Sequence, residues 1–218
     1  MKKCYIITAY IDGDLSKIIS PQRSDFIICA DGGYETAVSF NITPDLVIGD
    51  SDSGSMSSLS RNDLERAARP PTNFIHFPRE KDVSDTFLCV KHAISLGFGE
   101  IMIAGGIGGR LDHTISNIQT LAHFSDRVKS ISMTDENNFI TIACNSQVTL
   151  QKKEDFTISL FSLSDKCSGV RTTGLYYPLE NAELKNTYPL GLSNEFTDNE
   201  ATIDVKSGKL FIVVSRKK

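Results

Sequence analysis

Five short apolar runs punctuate the first two-thirds of the chain: "CYIITAY" (4–10), "FIICA" (26–30), "DLVIG" (45–49), "NFIHF" (73–77) and "EIMIAG" (100–105). Each is rich in β-branched residues and apolar on consecutive positions. That is the pattern of strands buried on both faces of a parallel sheet. Between them, helical spacing predicts helices at 34–40, about 57–68, 83–96 and 111–124. In 83–96, Phe87, Val90, Ala93 and Ile94 share a face, Asp82 can cap the start, and Gly97 supplies a stop. In 111–124 the expected apolar stripe is Leu111, Ile115, Ile118, Leu121 and Ala122.

After about residue 130 the rhythm changes to strands separated by turn residues. "SISMTDENNFITIAC" reads as a hairpin turning at 135–138, and "ATIDVKSGKLFIVV" as another turning at Ser207-Gly208. "FTISLFSL" alternates cleanly, and no helical stripe follows. The expected fold class is therefore α/β. An N-terminal, Rossmann-like, mostly parallel sheet with helices on both faces would occupy 1–140, and a small all-β, sandwich-like domain 141–218.

Composition narrows the setting. The 218 residues are 40% hydrophobic and 23% charged, with a net charge of −4, which offers no electrostatic footprint for nucleic acid. The basic tail Arg216-Lys217-Lys218 reads as a solvated end. Five scattered cysteines without a C-x-x-C pair point to a reducing, cytoplasmic setting rather than to disulfides or zinc. The apolar part of "MKKCYIITAYIDGD" is too short for a signal peptide, and no run is long enough to cross a bilayer, so no membrane partner is expected.

The chemistry gathers where the strands end. In an open parallel sheet, ligands bind beyond the carboxyl ends of the strands. There the sequence places Asp31-Gly32-Gly33, then Asp50 and Asp52 in "GDSDSG", then "KDVSDT" with Lys81, Asp82 and Asp85, then "GGIGGRLDH". Asp50 and Asp52, two apart in an extended segment, face one point, and two such carboxylates need a cation between them. Magnesium fits, being a hard ion that takes one or two carboxylates plus phosphate oxygens. The alternative is a solvated turn. Asp82 and Asp85 read equally as helix-start residues or as further metal ligands, and Lys81 would neutralise phosphate. In 105–113, Gly105, Gly106, Gly108 and Gly109 let backbone approach an anion, and Arg110 has the fork geometry for phosphate. Asp112 would reach metal or ribose, while His113 reads as ligand or as a packed first-turn residue. No G-x-x-x-x-G-K-[ST] occurs. The rim is that of a site for a magnesium-bound polyphosphate.

In this order and on these strand ends, "ADGG", "GDSDS", "KDVSDT" and "GGIGGRLDHT" resemble the N-terminal domain of the thiamine pyrophosphokinase family. "TTGLYYPLENAEL", "GLSNEF" and the terminal "ATIDVKSGKLFIVV" resemble its C-terminal β-domain. The resemblance implies a homodimeric, magnesium-dependent enzyme that moves pyrophosphate from ATP to the hydroxyl of thiamine and releases AMP. It implies catalytic roles for Asp50, Asp52, Asp82 and Asp85, with Asp50, Asp52 and Asp82 on the metal. It matches Gly108, Gly109, Arg110 and Asp112 to the family's glycine-rich motif, and with Asp31, Gly32, Lys81 and His113 from the strand ends these make the expected ATP site. Thiamine would lie between subunits against Ser193, Asn194 and Tyr177, the last standing where some members carry a stacking tryptophan. The acid that takes the hydroxyl proton is left open. Two other classes remain: an Asp-x-Asp metal-dependent phosphatase of the haloacid dehalogenase type, and a non-catalytic module sensing nucleotide or vitamin.

Overall fold

The computed structural model describes residues 2–50, 72–78, 80 and 82–217. The helix expected at 57–68, together with Asp52 and Lys81, lies outside the described residues. The chain divides into two compact units, Met1–Thr120 with Val128–Glu136, and Leu121–Arg127 with Asn137–Lys218. Against the division expected at 140/141, the second unit takes Leu121–Arg127 as well as the run from Asn137.

The first unit carries β1 (Cys4–Ile7), β2 (Phe26–Ala30), β3 (Leu46–Gly49), β4 (Asn73–His76), β5 (Glu100–Ala104) and β6 (Ser130–Thr134). All five pairings among them are parallel, in the order β6-β5-β1-β2-β3-β4. The order runs outward from β1 to β4 on one side and from β5 to β6 on the other. The strand sequence therefore changes direction between β1 and β5, and a crevice opens at such a switch point. The core draws on four of the five strands expected to be buried on both faces; β4, last in the strand order, is only partly buried, with Asn73 exposed. Tyr5, Ile7, Ile27, Cys29, Val47 and Ala104 cluster with Leu15, Ile19, Tyr34 and Ala37.

The helices are α1 (Leu15–Ile18), α2 (Gly33–Ser39), α3 (Asp85–Ser95) and α4 (Leu111–Phe124). The single turn α1 is too short to leave a periodic signal. Ser84, not Asp82, caps α3, its extended backbone aiming the side chain at Phe87 N–H, 3.3 Å away. Gly97, at φ +85°, ends that helix as expected. The stripe expected on α4 is corrected. Leu111 and Ile115 are 71% and 49% exposed, whereas the buried positions are Asn117, Thr120, Leu121 and Phe124. The first turns of this helix border a cavity rather than the core, so polar residues fill the inward face there.

The second unit holds two antiparallel sheets. One has the order β12-β9-β14-β7 and the other β11-β10-β13-β8. The strands are β7 (Asn138–Cys144), β8 (Gln147–Gln151), β9 (Phe156–Ser162), β10 (Lys166–Thr173), β11 (Ala182–Lys185), β12 (Gly191–Asn194), β13 (Glu200–Asp204) and β14 (Lys209–Arg216). One core joins the inner faces, with Ile158, Leu160, Leu210 and Ile212 from the first sheet and Val170, Leu184, Ala201 and Ile203 from the second. The terminal hairpin expected at Ser207-Gly208 is not one. β13 pairs with β8 and β10, while β14 pairs with β7 and β9. The connection passes from one sheet to the other, and Gly208 N–H donates to Asn145 Oδ1 at 2.8 Å. Among the described residues, no helix is long and apolar enough to cross a membrane.

Candidate active site

A cavity of about 590 Å³ opens in the first unit at the carboxyl ends of β1, β2 and β5. Its lining combines Thr8–Tyr10 after β1, Asp31 after β2, Ser84–Thr86 at the start of α3, and Gly106, Gly108 and Arg110 after β5. Asp112, His113, Ser116 and Asn117 of α4 complete it. Of the residues read from the sequence, Asp31, Asp85, Gly108, Arg110, Asp112 and His113 meet here.

Asp31 is the most constrained of them. It is 8% exposed and adopts φ +46°, a left-handed backbone unusual for a residue with a side chain. Its N–H donates to Ile48 O at 2.8 Å, and its carbonyl accepts from Tyr34 N–H at 3.1 Å, so the turn is held at both ends. Its side chain lies against Gly49. A Cβ there would stand 2.8 Å from Asp31 Oδ1 and 2.9 Å from its Cα. That close approach explains the glycine ending "LVIG". Buried Oδ1 has no hydrogen-bond partner among the described residues. A buried carboxylate oxygen left bare costs free energy unless a ligand or ion meets it.

Gly32 precedes α2, Asp50 follows β3 half-buried, and Asp82 is exposed. Asp85 sits half-buried in the first turn of α3, on the cavity wall. Among the described residues, no three His, Cys, Asp or Glu side chains converge as a ready metal cage. A magnesium ion bound through phosphate needs only one or two protein carboxylates.

The glycine loop is arranged differently from the expectation. The N–H groups of Gly105, Gly106 and Gly108 donate within the protein, to Thr134 O (2.8 Å), Tyr10 O (2.8 Å) and Thr114 Oγ1 (3.0 Å). These glycines serve positive φ angles, from +75° to +86°, rather than presenting N–H groups to an anion. Positive charge reaches the cavity through Arg110, whose guanidinium forks onto Asp112, donating from Nε to Oδ1 at 3.2 Å and from Nη2 to Oδ2. The pairing holds the Asp112 carboxyl below, and the Arg110 guanidinium above, its ordinary range. Both side chains are largely exposed, at 73% and 64%, so an incoming phosphate can take Arg110 over at little cost.

Thr8, Tyr10, Ser116 and Asn117 line the cavity without having stood out in the sequence. Asn117 Nδ2 donates to Gly106 O at 3.0 Å, and the single Thr8 hydroxyl proton is shared between Tyr10 O and Ala104 O, at 3.0 and 3.1 Å from Oγ1. The direction change of the strand order at β1 and β5 is the signal that points to them.

In the second unit, Tyr177, Ser193 and Asn194 also meet. Asn194, 8% exposed, accepts at Oδ1 from Tyr177 N–H (3.0 Å) and Glu195 N–H (2.9 Å), and its Nδ2 donates to Tyr177 O (2.8 Å). Its amide thus makes three bonds to the main chain and presents Tyr177, 66% exposed and edge-on to Tyr176 at 4.8 Å. Ser193 is exposed at φ +57°, and its N–H donates to Ser159 Oγ at 3.0 Å.

Comparison with known proteins covers both units. Residues 20–133 match the family model of the thiamin pyrophosphokinase catalytic domain, and residues 145–210 that of its vitamin B1 binding domain. A thiamine pyrophosphokinase of Bacillus subtilis is 30% identical over 189 residues, covering 86% of each chain. Thiamin pyrophosphokinase 1 of Caenorhabditis elegans is 22% identical, over 96% of this chain and 89% of that one. The crystal structure of the Bacillus subtilis protein superposes with a TM-score of 0.83 at 26% identity over the whole of both chains. That of yeast thiamin pyrophosphokinase shares the fold, with a TM-score of 0.73 at 18% identity, over 99% of this chain and 86% of that one.

Proposed function

The chain belongs to the thiamin pyrophosphokinase family, and on that premise we propose that its first-unit cavity binds ATP and hands pyrophosphate to thiamine. The enzyme is a thiamine pyrophosphokinase, a transferase with ATP as co-substrate. The observation that carries the site assignment is Asp31 on the cavity wall, its buried Oδ1 without a partner among the described residues, with Arg110 and a glycine-rich turn on the same cavity. Such an oxygen suits a hard cation or a ligand hydroxyl.

These carboxylates fit magnesium. Asp50, Asp52 and Asp82 would hold it, with Asp31 and Asp85 nearby in the donor set, and the bound ion would neutralise charge on the transferring phosphates. Arg110, released from Asp112, binds phosphate oxygens. Gly32, Gly109, Lys81, Asp112 and His113 complete the donor site, with Gly108 shaping the turn that carries Arg110. The thiamine hydroxyl attacks the β-phosphorus of ATP in line. Its new bond to phosphorus forms as the bond to the α-phosphate bridging oxygen breaks, AMP leaves, and an aspartate of the cluster takes the hydroxyl proton. Such transfers need positioning and charge neutralisation more than a protein nucleophile.

Tyr177 offers its exposed ring to the thiazolium cation, an attraction worth about 0.5–2 kcal/mol. Ser193 adds a polar edge, and Asn194 holds the tyrosine. The functional form is a homodimer with thiamine bound where subunits meet. Incubation with ATP, magnesium and thiamine followed by nucleotide identification tests the reading. AMP with thiamine pyrophosphate is expected, whereas ADP or inorganic phosphate as sole product sinks it. Asp52→Asn, nearly isosteric, is expected to abolish turnover while leaving thermal stability unchanged; near-normal turnover with intact magnesium dependence refutes the metal assignment.

A further inference from the structure

The segment after β1 precedes residue 20, where the match to the catalytic domain begins, yet it forms one wall of the cavity. We propose that Tyr10 in this segment is a positioning residue that holds the glycine turn, and through it Arg110, in the arrangement that receives the donor's phosphates. The proposal rests on reading the cavity as the donor site.

The ring of Tyr10 lies across two successive glycines. A Cβ at Gly109 would stand 3.0, 3.1 and 3.2 Å from its Cε2, Cδ2 and Cζ, and one at Gly108 would stand 3.4 and 3.5 Å from its Cε1 and Oη. Opposite edges of one ring therefore fill the space where side chains at two neighbouring residues would stand. Both glycines are left-handed, at φ +86° and +63°, and a glycine pair has wide conformational freedom unless something restrains it. Gly109 is followed directly by Arg110, so the angles at 108 and 109 decide where the guanidinium emerges.

The main chain of Tyr10 is tied to the same turn. Its carbonyl accepts from Gly106 N–H at 2.8 Å and from Thr8 Oγ1 at 3.0 Å, and that hydroxyl reaches Ala104 O at 3.1 Å. Asn117 Nδ2 grips Gly106 O from the other side. Backbone bonds thus fix residues 104–106, and the Tyr10 ring carries the restraint on to 108 and 109, where Thr114 Oγ1 is the other tether. At 47% exposure the ring is no core residue, so its removal spares the fold.

Losing the ring lets the turn sample other conformations, and apparent affinity falls by the fraction that remains competent. The test compares wild type, Tyr10→Ala and Tyr10→Phe as full chains. Binding of ATP, UTP and inorganic tripolyphosphate is measured by calorimetry, alongside steady-state turnover. For Tyr10→Ala, every ligand that binds wild type is expected to weaken by the same factor, about 5- to 20-fold. The KM for ATP rises with it, kcat at saturation changes little, and the melting temperature holds. Tyr10→Phe, which keeps the ring, stays within about twofold of wild type. Weakening confined to ATP would show the ring touching the base instead, and unchanged affinities would remove any role; either overturns the proposal. Wild type failing to bind all three sinks the donor-site reading itself.

Discussion

Asn194 is the residue whose part changed most between sequence and structure, and replacing it makes the sharpest test of how Tyr177 is presented. Its amide makes three hydrogen bonds, two accepted from the Tyr177 and Glu195 N–H groups and one donated to Tyr177 O. Each such bond contributes roughly 0.5–1.5 kcal/mol net, so Asn194→Ala should destabilise the protein by about 2–3 kcal/mol, water recovering part of the loss near the exposed tyrosine. Asn194→Asp is more discriminating. It keeps both acceptor contacts but sets a carboxylate oxygen against Tyr177 O, where 2.8 Å now separates donor from acceptor. Only the protonated carboxyl restores that bond. The introduced group therefore has a raised folded-state pKa, and its favourable contribution is present at low pH and lost as pH rises through that value. Urea unfolding at pH 7 and pH 5 measures both effects, with the Asp variant regaining stability relative to wild type at the lower pH. In turnover, both variants should raise the KM for thiamine more than they lower kcat. A loss below about 0.5 kcal/mol in Asn194→Ala, the scatter expected of an ordinary surface change, or a pH-independent deficit in Asn194→Asp, refutes the clamp.

Gly49→Ala should drive a methyl group into Asp31, costing about 1–3 kcal/mol of stability by overpacking. It should lower kcat/KM roughly ten- to hundredfold by displacing that carboxylate; an active variant of normal stability would show that Asp31 is not held against Gly49. Thiol labelling of the native protein should modify Cys144, the one partly exposed cysteine, well before the other four. Cys4 is fully buried with its thiol pushed up to about 12 by burial, and burial also raises Cys29 and Cys167. Intact-mass analysis showing early modification of Cys4 or Cys29 would contradict that packing.

The parallel strands were legible because a strand buried on both faces leaves no room for polar residues, so "FIICA" and "EIMIA" announce themselves. The terminal hairpin misled for an equally physical reason. A Ser-Gly step between two apolar runs reads the same whether the chain folds back on its neighbour or crosses to another sheet. Only the pairing of β13 with β8 and β10, and of β14 with β7 and β9, distinguishes them. The α3 cap was ambiguous in kind, since Asp82 and Ser84 are both capping residues two positions apart. The extended backbone at Ser84 (ψ 159°) decides between them.

The site divides along the same line. Asp31, Asp85 and Arg110 were readable because a charge at the end of an apolar strand or in a glycine-rich turn needs a reason to be there. The residues that hold the turns in shape, Thr8, Tyr10 and Asn117, are ordinary types whose work is done by a carbonyl, a ring edge or one amide N–H. Asn117 illustrates the difficulty. On α4 it shares the buried face with Thr120, Leu121 and Phe124, but a polar side chain at 6% exposure adds nothing to the apolar stripe by which such a face is read. Asn194 is the same case in the second unit, a polar residue read as a ligand contact whose three bonds all go to main chain. A buried amide beside an exposed aromatic is therefore better read first as the holder of that aromatic. At Asn194, Oδ1 and one Nδ2 N–H are engaged by main chain, which leaves the second N–H as the donor through which the same amide can also meet thiamine.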